Sequence, residues 1–328
     1  IIDGDVWSNQ NVLLEQGNIV HGSVTAATGW LATKTGVTID DDVWTGGYDP
    51  ANFDRAIHLD SGGLIGGNAK ASVTAPPDPV TCGGEDPTRY KVRVEGTSTI
   101  VGNVVTWGPK TGSGTVQGTV TQNVCTSSPP TKPLPTFTYS AANYDPATHH
   151  EFGTPDTASA TAVSDFQNYI ATISGAVSGS YYVNQFGAVN QDVRIDLTNV
   201  VIAGDTTIIA NAPIFANGIT DSAGDAIFTL VSTYQPPTGT SCDLNQDKSE
   251  CSIHLKNNFQ PSGNTAVIVY APYGPVAVKN NQVQYGTIYA DAIQIKNNQS
   301  LHYDSRVERM VGFGAVTYEV ERWVELAP

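Results

Sequence analysis

A short motif recurs through the first 120 residues and constrains the fold more than any other feature. A corner of small or acidic residues is followed at once by Val or Ala, and successive copies are 18, 19, 26, 35 and 16 residues apart. The copies are Gly4-Asp5-Val6, Gly22-Ser23-Val24, Asp41-Asp42-Val43, Gly67-Asn68-Ala69, Gly102-Asn103-Val104 and Gly118-Thr119-Val120. A spacing near 18 residues that is occasionally longer is typical of solenoid coils that carry loop insertions.

The segments between the corners have the pattern of short strands. Apolar and polar residues alternate in Ala56-Ile57-His58-Leu59 and in Tyr90-Lys91-Val92-Arg93-Val94, which indicates strands with one face directed inward. Charged residues make up only 14% of the chain, beside 32 Gly and 19 Pro, and this composition favours short strands and tight turns. The sequence therefore predicts an all-β protein.

A second repeat lies in the last third of the chain. In each copy two apolar residues stand on either side of a single residue, and Lys-Asn-Asn follows directly. The copies are Ile253-His254-Leu255-Lys256-Asn257-Asn258, Val276-Ala277-Val278-Lys279-Asn280-Asn281 and Ile293-Gln294-Ile295-Lys296-Asn297-Asn298. Asn tolerates the left-handed backbone of a bend, and stacked Asn side chains can form a hydrogen-bonded ladder. We expect these six Asn residues to be repeat corners of stacked coils. A β-sandwich with coincidental repeats is the alternative.

Two segments interrupt the pattern. Residues 126–157 are rich in Pro, Ser and Thr and predict an extended connection, whereas residues 158–173 predict a helix that packs on the flank of the solenoid or caps its open end. The apolar face of this helix comprises Val163, Phe166, Tyr169, Ile170 and Ile173. The predicted organisation is N-terminal coils over 1–125, the connection and helix over 126–180, and C-terminal coils over 181–328 that end in a closing strand at 315–326.

The four cysteines favour two disulfides. Cys82 and Cys125 bracket one polar insertion, and Cys242 and Cys251 bracket another, so we expect these two pairs; four buried thiols are the alternative. Paired cysteines indicate an oxidising compartment, and we expect an extracellular or cell-surface location. The net charge of −15 argues against nucleic acid as a partner.

The best candidate for a metal ligand set lies between Cys242 and Cys251. Oxygen-bearing side chains alternate at Asp243, Asn245 and Asp247, as at the start of a calcium-binding loop. Lys248 stands where such a loop has Gly, and a disulfide-closed polar surface loop explains the segment equally well. Calcium is the only cofactor that the sequence suggests.

Other polar clusters have structural explanations. Asp40, Asp41 and Asp42 could be paired acids of a polysaccharide enzyme, but solvated turn carboxylates are the favoured interpretation. For Arg194 and Asp196 we expect an exposed ion pair. His149-His150-Glu151 has metal-ligand residue types, but neighbours on an extended segment point to opposite sides, so the expectation is a disordered linker patch.

Aromatic residues are a further hint of a binding surface. They could stack sugar rings, support a partner or fill successive coils inward, and they are Trp7, Trp30, Trp44, Trp107, Tyr181, Tyr182, Tyr270, Tyr273, Tyr285 and Tyr289. No carboxylates or cations with matching offsets in successive coils are evident from the sequence, which disfavours a polysaccharide lyase or hydrolase.

The Lys-Asn-Asn coils, the segment Val269-Tyr270-Ala271-Pro272 and the tail Trp323-Val324-Glu325-Leu326 together resemble the bactofilin-like, polymer-forming β-solenoids of bacteria. The chain is also similar to secreted, pilin-like relatives with a solenoid ectodomain. This resemblance implies a right-handed parallel β-helix, no catalytic residues and a role in surface assemblies such as type IV pilus machinery.

The sequence thus favours a non-enzymatic extracellular solenoid that acts as a structural or adhesive component of a cell-surface appendage or filament. Its expected partners are further copies of itself, other surface or pilus proteins, and glycans. A polysaccharide-binding or polysaccharide-degrading β-helix enzyme is the alternative, since fold does not fix function.

Overall fold

The computed structural model describes residues 1–51, 54–73, 82–131, 137–187, 193–237, 242, 251–256, 259, 265–279, 283–296, 300–302, 304 and 306. Within these ranges the chain is built from strands, one α-helix and two short 3-10 helices, Cys82–Gly84 and Ala141–Asn143. Every pairing between the named strands is parallel. The predicted fold class, an all-β parallel β-helix with one flanking helix and loop insertions, is confirmed.

The first part of the chain forms five coils with three short strands each, followed by a last coil with two. These strands are β1 (Ile2–Asp3), β2 (Val6–Ser8), β3 (Val12–Leu14), β4 (Ile19–His21), β5 (Val24–Ala26), β6 (Leu31–Thr33), β7 (Thr38–Ile39), β8 (Val43–Thr45), β9 (Arg55–Leu59), β10 (Leu64–Ile65), β11 (Ala69–Ala71), β12 (Lys91–Val94), β13 (Thr99–Ile100), β14 (Val104–Thr106), β15 (Lys110–Thr111), β16 (Thr115–Val116) and β17 (Val120–Gln122).

The second part contains the helix and longer strands, some of which bend across two faces. These elements are β18 (His149–Phe152), α1 (Ala162–Thr172), β19 (Ala176–Val183), β20 (Ile195–Thr198), β21 (Val201–Ala210), β22 (Ile214–Asn217), β23 (Thr220–Asp221), β24 (Ile227–Ser232), β25 (Ile253–Leu255), β26 (Ala266–Val278), β27 (Val283–Ile295) and β28 (Ser300–His302).

The corner motif of the sequence sets the register of one sheet. Strands β2, β5, β8, β11, β14 and β17 form a six-stranded parallel sheet, and the last residues of the six motif copies lie directly above one another. The stacked residues are Val6, Val24, Val43, Ala69, Val104 and Val120. The uneven steps of the sequence are therefore single turns of the solenoid with insertions of different length.

Side chains at these corners tie each coil to the next. The Oδ1 atom of Asn68 accepts a hydrogen bond from the backbone N–H of Asn103 at 2.9 Å, and Asn103 Oδ1 accepts one from Thr119 at 2.9 Å. Asp42 Oδ1 accepts in the same way from the backbone N–H of Asn68 at 2.6 Å. These bonds pair backbone donors that a strand ladder would leave unpaired at a bend.

The two halves of the chain meet in the middle of the stack. Strand β27 pairs with β3, with Gln294 opposite Leu13, and β28 pairs with β1, with Leu301 opposite Ile2. The apolar interior continues across this junction, because Ile293 packs against the cores of both halves. The coil that holds β27 and β28 thus lies against the coil that holds β1 and β3.

A strap, residues 126–131 and 137–148, connects the two halves along the outside of the solenoid. It leaves the first half beside β11, where Ser127 forms a parallel bridge with Val73. It contacts the second half through two aromatic residues. The ring centroid of Phe137 lies 6.1 Å from that of Tyr270, and the ring of Tyr139 stacks on that of Tyr182 with 3.7 Å between the centroids. The described residues 126–131 and 137–148 of the predicted connection therefore lie against the coils, and its residues 149–152 form strand β18.

Helix α1 packs against β18, β19 and β20 at one end of the stack. Phe166 is fully buried and meets Phe152 and Tyr181 in edge-on contacts. The helix covers apolar side chains of the terminal coil, as the sequence predicts, although it begins at Ala162 rather than at residue 158. Among the residues that the structure describes, no helix is long and apolar enough to cross a membrane.

Both disulfides expected from the sequence, Cys82–Cys125 and Cys242–Cys251, are present. The calcium candidates Asp243, Asn245 and Asp247 lie outside the described residues, and so does the closing strand at 315–326. The same holds for the six repeat corners of the Lys-Asn-Asn motif, which are Asn257, Asn258, Asn280, Asn281, Asn297 and Asn298.

Candidate functional site

One face of the solenoid continues through both halves. It consists of β20, β22, β25, the ends of β26 and β27, and then β3, β6, β9, β12 and β15. Each strand places one residue in a common row, which runs Asp196, Phe215, His254, Ala277, Gln294, Leu13, Ala32, His58, Arg93 and Thr111. We call this the groove face, because a cavity opens on its β3–β9 portion.

The cavity, which we call the groove, has a volume of about 420 Å³. This volume lies in the range of small-molecule sites, ~300–1,000 Å³. Its apolar lining comes from Leu13, Trp30, Leu31 and Ala32, and its polar lining from Glu15, Thr33, Lys34, Asp49, Arg55, His58 and Asp60. An apolar floor with a few converging polar groups is typical of a ligand site.

A row of charged residues runs along one edge of the groove face, and three of its four members line the groove. Glu15, Lys34, Asp60 and Glu95 each follow directly after a strand of the groove face. Because those strands are in register, the four side chains come from equivalent positions of successive coils. The expectation that no charges recur at matching offsets is therefore wrong. These positions are 19, 26 and 35 residues apart, which are the same steps that separate the corner motifs from Gly22 to Gly102, so their common register could have been read from the sequence.

Beside this row, Arg55 and His58 are in direct contact. Arg55 Nη1 lies 3.0 Å from Nδ1 and 3.3 Å from Nε2 of the His58 ring. His58 Nε2 lies 3.6 Å from a carboxylate oxygen of Glu95, which is also paired with Arg93. Two cations and a carboxylate thus surround one imidazole whose side chain is 22% exposed.

This environment favours the neutral form of the imidazole. Burial, followed by the charge of Arg55, lowers the pKa of His58 below its ordinary value, although Asp60 and Glu95 act in the opposite direction. Burial and the charge of Arg93 likewise lower the pKa of Arg55. A neutral imidazole has a ring nitrogen that can accept a hydrogen bond from the guanidinium or from a ligand hydroxyl.

The insertion between β8 and β9 builds one wall of the groove. The backbone N–H of Asp49 donates to the carbonyl of Arg55 at 2.7 Å, which folds the insertion back against the start of β9. Asp49 is 7% exposed, and its Oδ1 accepts a hydrogen bond from the backbone N–H of Ala51 at 3.0 Å. Tyr48 accepts a hydrogen bond from Arg89 Nη1 at 2.6 Å, which connects this wall to the next coil.

The acidic triplet lies away from the groove. Asp42 belongs to the corner ladder described above, and Asp40 Oδ2 lies 2.6 Å from Nδ1 of His21 in an exposed pair. Asp40 and Asp42 therefore have hydrogen-bond partners at the bends, which agrees with the interpretation of this triplet as turn carboxylates. Arg194 and Asp196 form an ion pair at 3.4 Å, but Arg194 is mostly buried and also lies 4.2 Å above the ring of Phe215.

The interpretation of His149-His150-Glu151 as a disordered linker patch is wrong, because these residues belong to β18 and pair with β19. Their side chains separate as expected. His149 Nε2 lies 2.6 Å from the hydroxyl of Tyr139 in the strap, whereas His150 Nε2 lies 3.0 Å from the hydroxyl of Tyr169 in α1. Among the described residues, no group of three or more His, Cys, Asp or Glu could hold a metal ion.

Several aromatic residues that the sequence singled out have structural roles. Tyr181 is buried inside the coils, and Tyr182 and Tyr270 lie beneath aromatic residues of the strap. Tyr273 is 59% exposed. Of the tryptophans, Trp30 lines the groove, whereas Trp44 lies in the six-stranded sheet beneath the Lys70 ammonium.

The groove residues, the strand register and the two disulfides are the features from which a function can be inferred. Comparison of the chain with protein-family models, with curated proteins and with solved structures found no match.

Proposed function

We propose that this chain is a non-enzymatic, extracellular β-solenoid that serves as a rigid structural or adhesive module of a cell-surface appendage or filament. The observation that supports it most is the continuous row of ten stacked strands on the groove face. Parallel strands lie ~4.8 Å apart, so this row extends over roughly 45 Å. A stack of this kind can hold a binding groove at a fixed distance from the point at which the module is attached.

The two disulfides are consistent with this setting. Cys82–Cys125 joins residues 43 positions apart, and Cys242–Cys251 closes a second loop. Disulfides persist in oxidising compartments outside the cytoplasm, so the pairs indicate such an environment.

The ends of the stack differ, which bears on assembly. At one end α1 packs on the terminal strands, whereas at the other end β15, β16 and β17 each pair with a single neighbour among the described strands. Unpaired strand edges can add strands from another chain. Self-association of this module would therefore proceed through the end that holds β15–β17.

Location and assembly are tested together. Antibody labelling of intact producing cells should detect the chain at their surface, and electron microscopy should place the label on filaments or the cell envelope. Light scattering after size-exclusion chromatography should show oligomers as concentration rises. A chain that is confined to the cytoplasm and strictly monomeric would contradict the proposal.

A polysaccharide enzyme on the same fold is a second candidate. The groove supports it, because neutral His58 lies beside Glu95 and near Asp60, and such groups can act as bases and acids. Incubation with a panel of glycans, scored for new reducing or unsaturated ends, separates the two functions. Turnover that is lost in His58→Gln would favour the enzyme over the adhesive module.

A further inference from the structure

We propose that the groove binds a neutral glycan, with Trp30 as the platform for a sugar ring and the carboxylates of Asp60 and Glu15 as acceptors for its hydroxyl groups. This inference rests on the proposed adhesive function, for which it names the ligand class. Three observations support it: the shape of the groove, the hydrogen-bonded backbone of Trp30 and the balance of charge in the lining.

The backbone of Trp30 is hydrogen-bonded to the coil beneath it. The backbone N–H of Trp30 donates to Asn11 Oδ1 at 3.2 Å, and its carbonyl accepts from the backbone N–H of Val12 at 2.9 Å. The indole therefore projects from an anchored backbone just before β6. Leu13 and Ala32 extend the apolar surface beside it. An apolar, partly aromatic floor suits the C–H face of a pyranose ring.

The polar groups around this floor match the edge of a sugar. A hydroxyl group is both a donor and an acceptor, so a ring with several hydroxyls needs acceptors and donors close together. Carboxylates at Glu15 and Asp60 supply acceptors, and Lys34 and Arg55 supply donors. Hydrogen bonds to such charged groups are stronger than those between neutral groups.

The charge balance selects a neutral ligand. The lining holds three carboxylates against the two cations Lys34 and Arg55, and the third basic side chain, His58, has a lowered pKa. Arg93 lies nearby but is paired with Glu95. The whole chain carries a net charge of −15, which repels a polyanion such as a uronic-acid polymer.

The test is calorimetric titration of the intact protein with two sets of oligosaccharides of matched length. One set is neutral, built of glucose, mannose, galactose or N-acetylglucosamine, and the other is built of uronic acids. We expect saturable binding of at least one neutral series and none of the uronates. Absence of neutral binding, or equal binding of uronates, would overturn the inference.

Variants locate the site. Trp30→Ala should weaken binding about tenfold, equivalent to ~1.4 kcal/mol, whereas Trp44→Ala should leave it unchanged. Trp44 is a matched control because it is also half-buried but lies in the six-stranded sheet, where its Nε1 donates to Ser72 Oγ at 2.7 Å. Equal affinity of the Trp30 variant and the wild type would contradict the proposal.

A second variant covers the case in which Trp30→Ala does not fold. Asp60→Asn preserves the shape of the side chain and the Oδ1 atom that accepts from the backbone N–H of Ser61 at 2.8 Å. It should also weaken neutral glycan binding, and unchanged affinity would count against the site. Surface labelling is an independent readout that separates the two proposals. If the chain lies at the cell surface but binds no glycan, only this inference is disproved. If the chain binds a glycan but is confined to the cytoplasm, only the proposed function is disproved.

Discussion

At the residue scale, the corner glycines show how closely successive coils approach. A Cβ atom at Gly102 would lie 2.6 Å from the carbonyl oxygen of Gly67, and one at Gly118 would lie 2.5 Å from the carbonyl oxygen of Gly102. Both distances are shorter than a carbon–oxygen contact allows, and the obstacle is backbone that cannot turn aside. Stacking therefore requires glycine at Gly102 and Gly118, whereas the third copy of the motif has Asp41 at the equivalent corner.

Replacement of one corner glycine tests this requirement. Gly102→Ala should lower the free energy of unfolding by about 1–3 kcal/mol, because the added methyl group pushes two coils apart. Urea denaturation measures the change. Gly204→Ala is the matched control, since its Cβ would meet its nearest neighbour, Ser178 Cβ, at an ordinary 3.4 Å. Equal destabilisation by both variants would contradict the stacking explanation.

His58 makes part of the stability depend on pH. Its folded-state pKa is lowered from 6.5 by burial and by Arg55, so the unfolded chain binds its proton more readily. The contribution of His58 is therefore fully present above pH ~6.5 and is lost as the pH falls through its folded-state pKa. The other charged groups that act on the ring are Arg93, Asp60 and Glu95.

The variant His58→Gln removes this titration and preserves a hydrogen-bond acceptor for Arg55. Melting temperatures measured from pH 7.5 to pH 5 should fall less steeply for the variant than for the wild type. Parallel curves for the two proteins would show that the imidazole is not held in its neutral form.

At the scale of elements, the strap is fixed by aromatic contacts and hydrogen bonds. Tyr139 stacks on Tyr182, and its hydroxyl lies 2.5 Å from Glu151 Oε1 and 2.6 Å from His149 Nε2. Burial and the hydrogen bond to Glu151 raise the pKa of Tyr139, so the phenol remains protonated and donates. Burial also raises the pKa of neighbouring Tyr144 to about 12.

Two substitutions at Tyr139 separate these contributions. Tyr139→Phe removes the hydroxyl and should cost about 1 kcal/mol of unfolding free energy. Tyr139→Ala also removes the stacked ring and should cost about 2 kcal/mol or more. Limited proteolysis of the Ala variant should cleave within residues 137–148 faster than in the wild type. If the Ala variant were as stable and as resistant as the wild type, the strap would not be fixed by this ring.

Some of these elements can be predicted from the sequence and others cannot. The corner copies such as Gly102-Asn103-Val104 predict a sheet because small residues at a bend and an inward β-branched residue are local requirements of a coil. The neighbouring positions of His58 and Arg93 follow from the 35-residue step that also separates Gly67 and Gly102. The groove itself was not predicted, because its wall depends on how the insertion between β8 and β9 folds back at Asp49. The strap contacts, such as Tyr139 with Tyr182, depend on tertiary packing that leaves no periodic signal.

At the scale of the whole molecule, the solenoid is assembled from two halves that meet at its centre. Asp291 in β27 marks the junction, where its Oδ1 accepts a hydrogen bond from Gln10 Nε2 at 2.7 Å. Burial raises the pKa of this carboxyl group. The groove lies on the first half, directly beside the junction through Leu13.

Crosslinking across the junction tests this arrangement most directly. In a variant with Leu13→Cys and Gln294→Cys, which occupy adjacent positions of the groove face, a short bifunctional maleimide should link the two cysteines within one chain. The control pair, Thr111→Cys with Gln294→Cys, lies five strands apart, or ~24 Å, and should not be linked. Efficient intramolecular linkage of the first pair alone is the predicted result. Linkage only between chains, or no linkage of Leu13→Cys to Gln294→Cys, would contradict a single continuous stack.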